Sequence, residues 1–238
     1  MNRPRLTDSE YYRIKYNRKL NDRRMLVIPD LHSPFIKYGY LQFVKEIQAK
    51  YNTTDTMFLG DLIDNHYASY HETDPDGDSG GTELSKAINE ISNWYKAFPV
   101  AKVCLGNHDI IPNRKAMSSG LSASWIRGID EVLETPNWEY AEEFIINDVM
   151  YVHGTSRKAR NRAAKDLISV TQGHYHSESY IEHFVGNNFK IFAMQLGCGI
   201  DRKTYGMAYG KHFNKPHINC GVILENGTLP IIEYMKLD

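Results

Sequence analysis

Short apolar runs alternate with amphipathic stretches in the first half of the chain. The apolar runs at 25–29, 56–59 and 100–105 have the length of buried strands. Between them, residues 38–50 and 82–97 repeat apolar side chains at a helical spacing. Because strands that alternate with helices are typical of a layered sheet, the pattern predicts an α/β fold.

The second half of the chain is richer in strand-like runs. Asn147 and Asp148, like Asn226 and Gly227, are residue pairs that favour the tight turn of a β-hairpin. Neither an internal repeat nor a low-complexity linker interrupts the pattern, so one domain accounts for this part of the chain. The predicted strands of this half are 144–146, 149–152, 168–171, 189–194 and 218–224.

A basic arm precedes this domain. Residues 1–24 carry eight basic and three acidic side chains, with Tyr11, Tyr12 and Tyr16 among them. The formal net charge of the whole chain is only -1, so any attraction to a polyanion must be local. We therefore predict an arm at 1–24, able to contact a nucleic-acid backbone and stack on bases, and a single domain at 25–238.

The cysteines and the hydropathy indicate where the protein works. Cys104, Cys198 and Cys220 are widely spaced and include no CxxC pair, a pattern typical of reduced thiols in the cytoplasm. The first residues lack the apolar stretch of a signal peptide, and no run of 18 apolar residues occurs. The sequence predicts a cytoplasmic protein without a membrane span.

Polar residues follow five of the predicted strands. The carboxyl ends of strands are where α/β sheets bind ligands, and Asp, His and Asn suit manganese, iron, zinc or magnesium. Each motif taken singly is more often a turn, a helix cap or a hydrogen-bonded histidine, but five in series favour a metal site. The motifs are Asp30 with His32; Gly60 with Asp61 and Asp64; Gly106 with Asn107, His108 and Asp109; His153 with Gly154; and Gly173 with His174 and His176.

The series DxH, GDxxD, GNHD, HG and GHxH resembles the calcineurin-like metallophosphoesterase superfamily, over residues 25–238. The resemblance implies a four-layer αββα sandwich, in which two mixed β-sheets are flanked by helices. It also implies a phosphoester hydrolase with two divalent transition metals, manganese first and iron, zinc, nickel or magnesium as alternatives. One metal would be held by Asp30, His32, Asp61 and His176, and the other by Asp61, Asn107, His153 and His174.

The resemblance further implies how these groups act. A water between the two metals would be the nucleophile, and His108 would stabilise the transition state or protonate the leaving oxygen. Asp109 would orient the ring of His108, Asn107 would also contact the substrate, and Asp64 would contact a ligand rather than a metal. Independently of the resemblance, Arg114 is a candidate phosphate-binding residue because of its planar guanidinium, the alternative being a solvated loop arginine.

Charge is the only guide to the substrate. Residues 157–165, shortly after His153, include five basic and no acidic side chains, which favours a nucleic-acid phosphodiester. Residues 72–83 include five acidic and no basic side chains, which argues against a polyanion. We predict a phosphodiesterase or nuclease. The alternatives are a phosphomonoesterase acting on a small molecule or phosphoprotein, a non-catalytic binding scaffold, and a hydrolase of non-phosphate esters. The segment 197–217 has no assigned role.

Overall fold

The computed structural model of the protein describes residues 23–70, 74–204 and 214–236. Residues 1–22 of the predicted arm lie outside the described residues, as do parts of the acidic stretch and of the segment 197–217.

Eleven strands lie within the described ranges. Eight of them match the predicted strands to within one residue at either end, whereas three strands with mixed polar and apolar composition, 138–141, 180–185 and 229–234, were not predicted. The strands are β1 (Met25–Ile28), β2 (Asp55–Phe58), β3 (Ala101–Cys104), β4 (Trp138–Ala141), β5 (Glu143–Ile146), β6 (Val149–Val152), β7 (Ser169–Gln172), β8 (Tyr180–Val185), β9 (Lys190–Gln195), β10 (Asn219–Leu224) and β11 (Leu229–Tyr234).

The strands form two mixed sheets. In the first sheet the order is β11-β10-β1-β2-β3-β4, with β1 to β4 parallel and β10 and β11 antiparallel to their neighbours. In the second the order is β5-β6-β7-β9-β8, with β6, β7 and β9 parallel. Both predicted hairpins are confirmed. The turn at Asn147 and Asp148 has φ values of 51° and 59°, which these residue types tolerate.

Helices connect and cover the strands. The long second helix begins after Ser79, whose hydroxyl accepts a hydrogen bond from the Thr82 N–H at 3.4 Å. The first helix ends at Asn52, which adopts the left-handed conformation common at helix ends. The helices are α1 (Tyr40–Tyr51), α2 (Gly80–Ala97), α3 (Ile111–Ser118), α4 (Ile129–Val132) and α5 (Ala159–Asp166), with 3-10 turns at His66–Ala68, Ala123–Trp125 and Glu225–Gly227.

Three hydrophobic clusters separate four layers. Alternate residues of β1 point to opposite faces of the first sheet. Leu26 packs with Tyr40 and Trp94 of the covering helices, whereas Val27 packs with Tyr151 of the second sheet. On the outer face of that sheet, α5 packs through Ala159 and Ala163. The predicted four-layer αββα sandwich is therefore confirmed.

The three cysteines are free and buried, and burial raises the pKa of each thiol above its ordinary value. This agrees with the absence of a disulfide pattern in the sequence. In the described part of the chain, every helix is too short or too polar to cross a membrane.

Candidate metal centre

The motif residues meet where the two sheets pack together. Asp30, Asp61 and Asn107 follow β1, β2 and β3 of the first sheet, and His153 and His174 follow β6 and β7 of the second. These strands are parallel to one another within each sheet, so their carboxyl ends lie at one edge. Residues far apart in sequence thus form one buried site.

In the described part of the chain, two clusters of donor atoms at this edge consist entirely of predicted metal ligands. In the first, His176 Nε2 is 3.1 Å from His32 Nε2 and 3.1 Å from an Asp30 carboxylate oxygen. In the second, His153 Nε2 is 3.0 Å from Asn107 Oδ1 and 3.1 Å from His174 Nδ1.

Asp61 links the two clusters. Its Oδ2 lies 3.2 Å from His153 Nε2 and 3.7 Å from His32 Nε2. Its Oδ1 accepts a hydrogen bond from the backbone N–H of His108 at 2.8 Å, which fixes the carboxylate. The position of Asp61 is therefore the one required of a bridging ligand.

The donor atoms fit metal ions. Two ligands bonded at about 2.1 Å to one metal stand about 3.0 to 3.4 Å apart in octahedral or tetrahedral geometry. The separations within both clusters fall in or near this range. Pairs of imidazole nitrogens only 3.1 Å apart also repel each other unless a proton or a cation lies between them. The site therefore has the chemistry and spacing of two cation sites.

Neighbouring groups select which ring nitrogen faces the cluster. His32 Nδ1 lies 2.6 Å from an oxygen of the buried Asp64 carboxylate, and His153 Nδ1 donates to the Leu59 carbonyl at 2.9 Å. Because a carbonyl only accepts, the Nδ1 of His153 must carry the proton, which leaves Nε2 able to coordinate. Asp64 thus contacts the candidate ligand His32, and its carboxylate also lies within a group of possible donor atoms with His32 and His108.

Close packing forms the site. His32, Asp61 and His174 adopt left-handed backbone conformations, with φ values of 51°, 46° and 71°, which are uncommon outside glycine. A Cβ added to Gly106 would lie 2.1 Å from Asp61 Oδ1, and one added to Gly173 would lie 2.2 Å from Asp30 Oδ1. Both glycines are needed because the candidate ligands occupy the space of a side chain.

Comparison with known protein families then decides to which family the chain belongs. The family model of the calcineurin-like phosphoesterases matches residues 23–199, which contain all five motifs. The chain belongs to the calcineurin-like phosphoesterase family. Two adjacent clusters of Asp and His donors agree with a family that typically binds a pair of metals.

Solved structures similar to the chain have low sequence identity. Vacuolar protein sorting 29 from Cryptosporidium parvum is 12% identical with a TM-score of 0.47, covering 90% of this chain and 92% of that one. YfcE, a phosphoesterase from E. coli, is 13% identical with a TM-score of 0.37, at 90% and 100% coverage. Nuclease MPE from Pseudomonas putida is 12% identical with a TM-score of 0.36, at 89% and 87% coverage. The curated proteins include no match to the chain.

The charges of the candidate metal centre depend on one another. Burial would raise the pKa of Asp61, but His153 and His108 outweigh it and hold that pKa well below its ordinary value. Burial would likewise lower the pKa of His153, but Asp61 and Asp30 outweigh it and raise the pKa to about 10. Without metals, a proton on His153 thus supplies positive charge that the buried carboxylates require.

His108 lies beside the two clusters of predicted ligands and forms a further group of donor atoms with His32 and Asp64. Its Nδ1 is 2.5 Å from the Asp64 carbonyl, and its ring centroid is 4.8 Å from that of His32. The structure corrects the expectation that Asp109 orients this ring. The Asp109 carboxylate accepts hydrogen bonds from the backbone N–H groups of Gly106 at 2.9 Å and Ile63 at 3.3 Å. Asp109 therefore joins two motif loops, and the Asp64 carbonyl orients the ring.

Asp109 is also unusual in its ionisation. Burial, reinforced by the nearby Asp61, raises the pKa of Asp109 to about 7, and the two backbone N–H groups oppose this only in part. A carboxyl group that titrates near neutral pH is common in functional sites.

Arg114, which the sequence suggested as a phosphate-binding residue, lies outside the two donor clusters. Arg114 is exposed on α3, and its guanidinium is 4.9 Å from the ring centroid of Tyr70. Another arginine, Arg162 of α5, lines a cavity together with Asn107 and His153. In the sequence, Arg162 is one of five basic residues at 157–165, and nothing there distinguishes it from its neighbours.

Proposed function

We propose that the chain is a phosphodiesterase that hydrolyses nucleic acid with two divalent transition metals, manganese first. The observation that carries the proposal is the pair of donor clusters linked by Asp61. When bound, two cations would activate water and neutralise charge on the phosphoryl oxygens of the substrate. The residues that would hold them are Asp30, His32, Asp61, Asn107, His153, His174 and His176.

The remaining residues position groups around the reacting phosphate. His108 donates from Nδ1 to the Asp64 carbonyl, so its Nε2 is the atom available to the substrate. We assign this nitrogen to stabilising the transition state or protonating the leaving oxygen. Asp109 fixes the loop that carries His108 through its bonds to Gly106 and Ile63. Asn107 and Arg114 are assigned to contacts with the substrate.

The preference for nucleic acid depends on local charge. The basic arm and the basic segment 157–165 support it, since cationic side chains that neutralise phosphates drive such binding. The acidic stretch 72–83 argues against nucleic-acid binding less strongly than its composition suggests. Asp78 forms an ion pair with Lys86 at 2.6 Å, and Glu83 is buried.

A second candidate, a phosphomonoesterase acting on a small molecule, has an observation in its favour. Lys158 and Arg160 of the basic segment already pair with Glu178 and Glu182. These pairs reduce the charge available to a polyanion, and a small substrate would not need an extended basic surface.

The test compares three substrates. Metal-loaded protein should hydrolyse bis-p-nitrophenyl phosphate and single-stranded DNA faster than p-nitrophenyl phosphate. DNA cleavage should weaken with salt, by a log–log slope of about -0.7 per phosphate contact. A preference for the monoester would favour the second candidate, a phosphomonoesterase. If none of the three substrates is hydrolysed, a binding scaffold is favoured.

A variant separates the arm from the catalytic site. The charge-neutralising changes Arg13→Gln, Lys15→Gln, Arg18→Gln and Lys19→Gln should flatten the salt dependence and raise KM for DNA. Hydrolysis of the small diester should not change. The change should spare Arg23, because its guanidinium pairs with Asp55 at 3.3 Å and its loss would affect the domain itself. Unchanged DNA kinetics in this variant would exclude a role for the arm.

A further inference from the structure

A cavity adjoins the second donor cluster. It has a volume of about 360 Å³, within the range of small-ligand sites. Asn107 and His153, two of the candidate metal ligands, form part of its wall, and Val152 and Ile110 contribute apolar surface. Any group in this cavity is therefore next to the candidate metals.

Arg162 is the arginine in the wall of this cavity. Its Nε is buried and donates no hydrogen bond, and its guanidinium pairs with no carboxylate in the described part of the chain. Glu142 and Glu143 line the same cavity, yet neither comes within ion-pair distance of Arg162. Arg162 is half-buried as a whole, but its buried Nε–H donor is costly to leave without an acceptor unless a ligand supplies one.

The helix explains why this arginine differs from its neighbours. Ala159 and Ala163 are the buried face of α5 against the second sheet, and Arg162 lies directly beside Ala163 on the flank of that face. Arg160 instead lies with its guanidinium 4.1 Å from the Tyr180 ring centroid and its Nε 3.3 Å from a Glu182 oxygen. The two arginines share a helix, but only Arg162 is left without a partner.

We propose that Arg162 binds a phosphate oxygen of the substrate, and that the cavity it lines receives the phosphoester beside Asn107 and His153. The planar guanidinium has donors with the geometry to bind phosphate in a bidentate manner. The inference rests on the proposed function and deepens it. It names the residue that recognises the phosphate from the side of the second cluster.

The test measures phosphate binding separately from turnover. Inorganic phosphate is titrated calorimetrically into manganese-loaded protein. Arg162→Gln should weaken binding by about 10- to 100-fold, the usual effect of losing hydrogen bonds to a charged group, and Arg162→Lys by less. Manganese content should match the parent for both variants, because Arg162 is not assigned to a metal, and neither variant should melt below the parent, because the buried Nε makes no hydrogen bond.

Two further variants serve as comparisons. Arg160→Gln removes the same residue type from the same helix and should leave the binding of inorganic phosphate unchanged, because Arg160 already pairs with Glu182 and Tyr180. If Arg162→Gln binds phosphate like the parent, the inference is wrong. Loss of binding in Arg114→Gln alone would transfer the role to Arg114 and overturn it as well. A parent protein that binds phosphate through Arg162 but hydrolyses no ester would contradict the proposed function and leave the inference standing.

Discussion

A single methyl group at Gly106 should disrupt the metal centre without removing a ligand. The Cβ of Gly106→Ala would lie 2.1 Å from Asp61 Oδ1, whereas Cβ atoms in proteins essentially never approach another atom closer than 3.0 Å. The carboxylate must therefore withdraw by about 0.9 Å, several times the tolerance of about 0.2 Å for a metal–ligand bond, and the Asp61 backbone nitrogen, 2.2 Å from the same Cβ, must also move. Since Asp61 lies between the two donor clusters, both metal sites should weaken.

The expected magnitude has two parts. Displacing a ligand through its surroundings typically lowers metal affinity by about 10- to 100-fold. Forcing a methyl group into a packed interior also destabilises a protein by about 1 to 3 kcal/mol. The two effects are measured separately, by calorimetric titration of manganese into chelator-treated protein and by urea unfolding of the metal-free protein.

Gly81→Ala is the matched control. Gly81 lies in the first turn of α2, and an added Cβ would meet nothing within 4 Å. This variant should bind manganese like the parent and gain about 0.4 to 1 kcal/mol, because alanine restricts the unfolded chain. If Gly106→Ala also binds manganese with the parent affinity and stoichiometry, Asp61 is not a shared ligand held against Gly106 and the reasoning fails.

Three further variants test other parts of the site. Asp61→Asn should lower the occupancy of both metal sites and His32→Ala mainly that of one, measured by elemental analysis, and equal losses would contradict the shared role of Asp61. His108→Ala should lower turnover by about 100- to 10,000-fold with unchanged metal content. A variant that is metal-free or fully active would contradict the catalytic role of His108. Burial raises the pKa of Glu83 from 4.5 to about 7, so the folded state loses stability as pH rises through this window. Glu83→Gln should therefore raise the melting temperature more at pH 8 than at pH 5, and an equal effect at both would refute this.

The sequence predicts the buried strands better than the exposed ones. Strands β1, β2 and β3 are apolar on both faces because each lies between a helix layer and the second sheet. By contrast, β4 and β8 are sheet edges whose residues are largely half-buried or exposed, so they have no continuous apolar run. An edge strand is defined by backbone pairing with its neighbour, which composition alone does not reveal.

Residue types and order identify the candidate ligands, but local contacts decide the supporting roles. Asp64 and Asp109 are both carboxylates in the motifs, and only the approach of the β2 and β3 loops determines that the Asp64 carbonyl meets His108. Likewise, Arg114 and Arg162 are the same residue type and cannot be told apart by composition. Their surroundings differ because α3 exposes one guanidinium beside Tyr70, whereas α5 places the other against the cavity.

The energetic cost of this arrangement bears on whether the site is used. Asp30, Asp61 and His153 are almost fully buried, and removing such charged groups from water is unfavourable unless each is compensated. Well-packed apolar residues in their place are often as stable or more so, so packing alone gives no reason for these side chains. The left-handed backbone at His32 and His174 adds to the cost. A pair of bound cations would offset these terms, since a ligand that binds only the folded state stabilises it. A scaffold that bound no metal would be more stable without these residues, and this chain carries them together at one edge of two sheets.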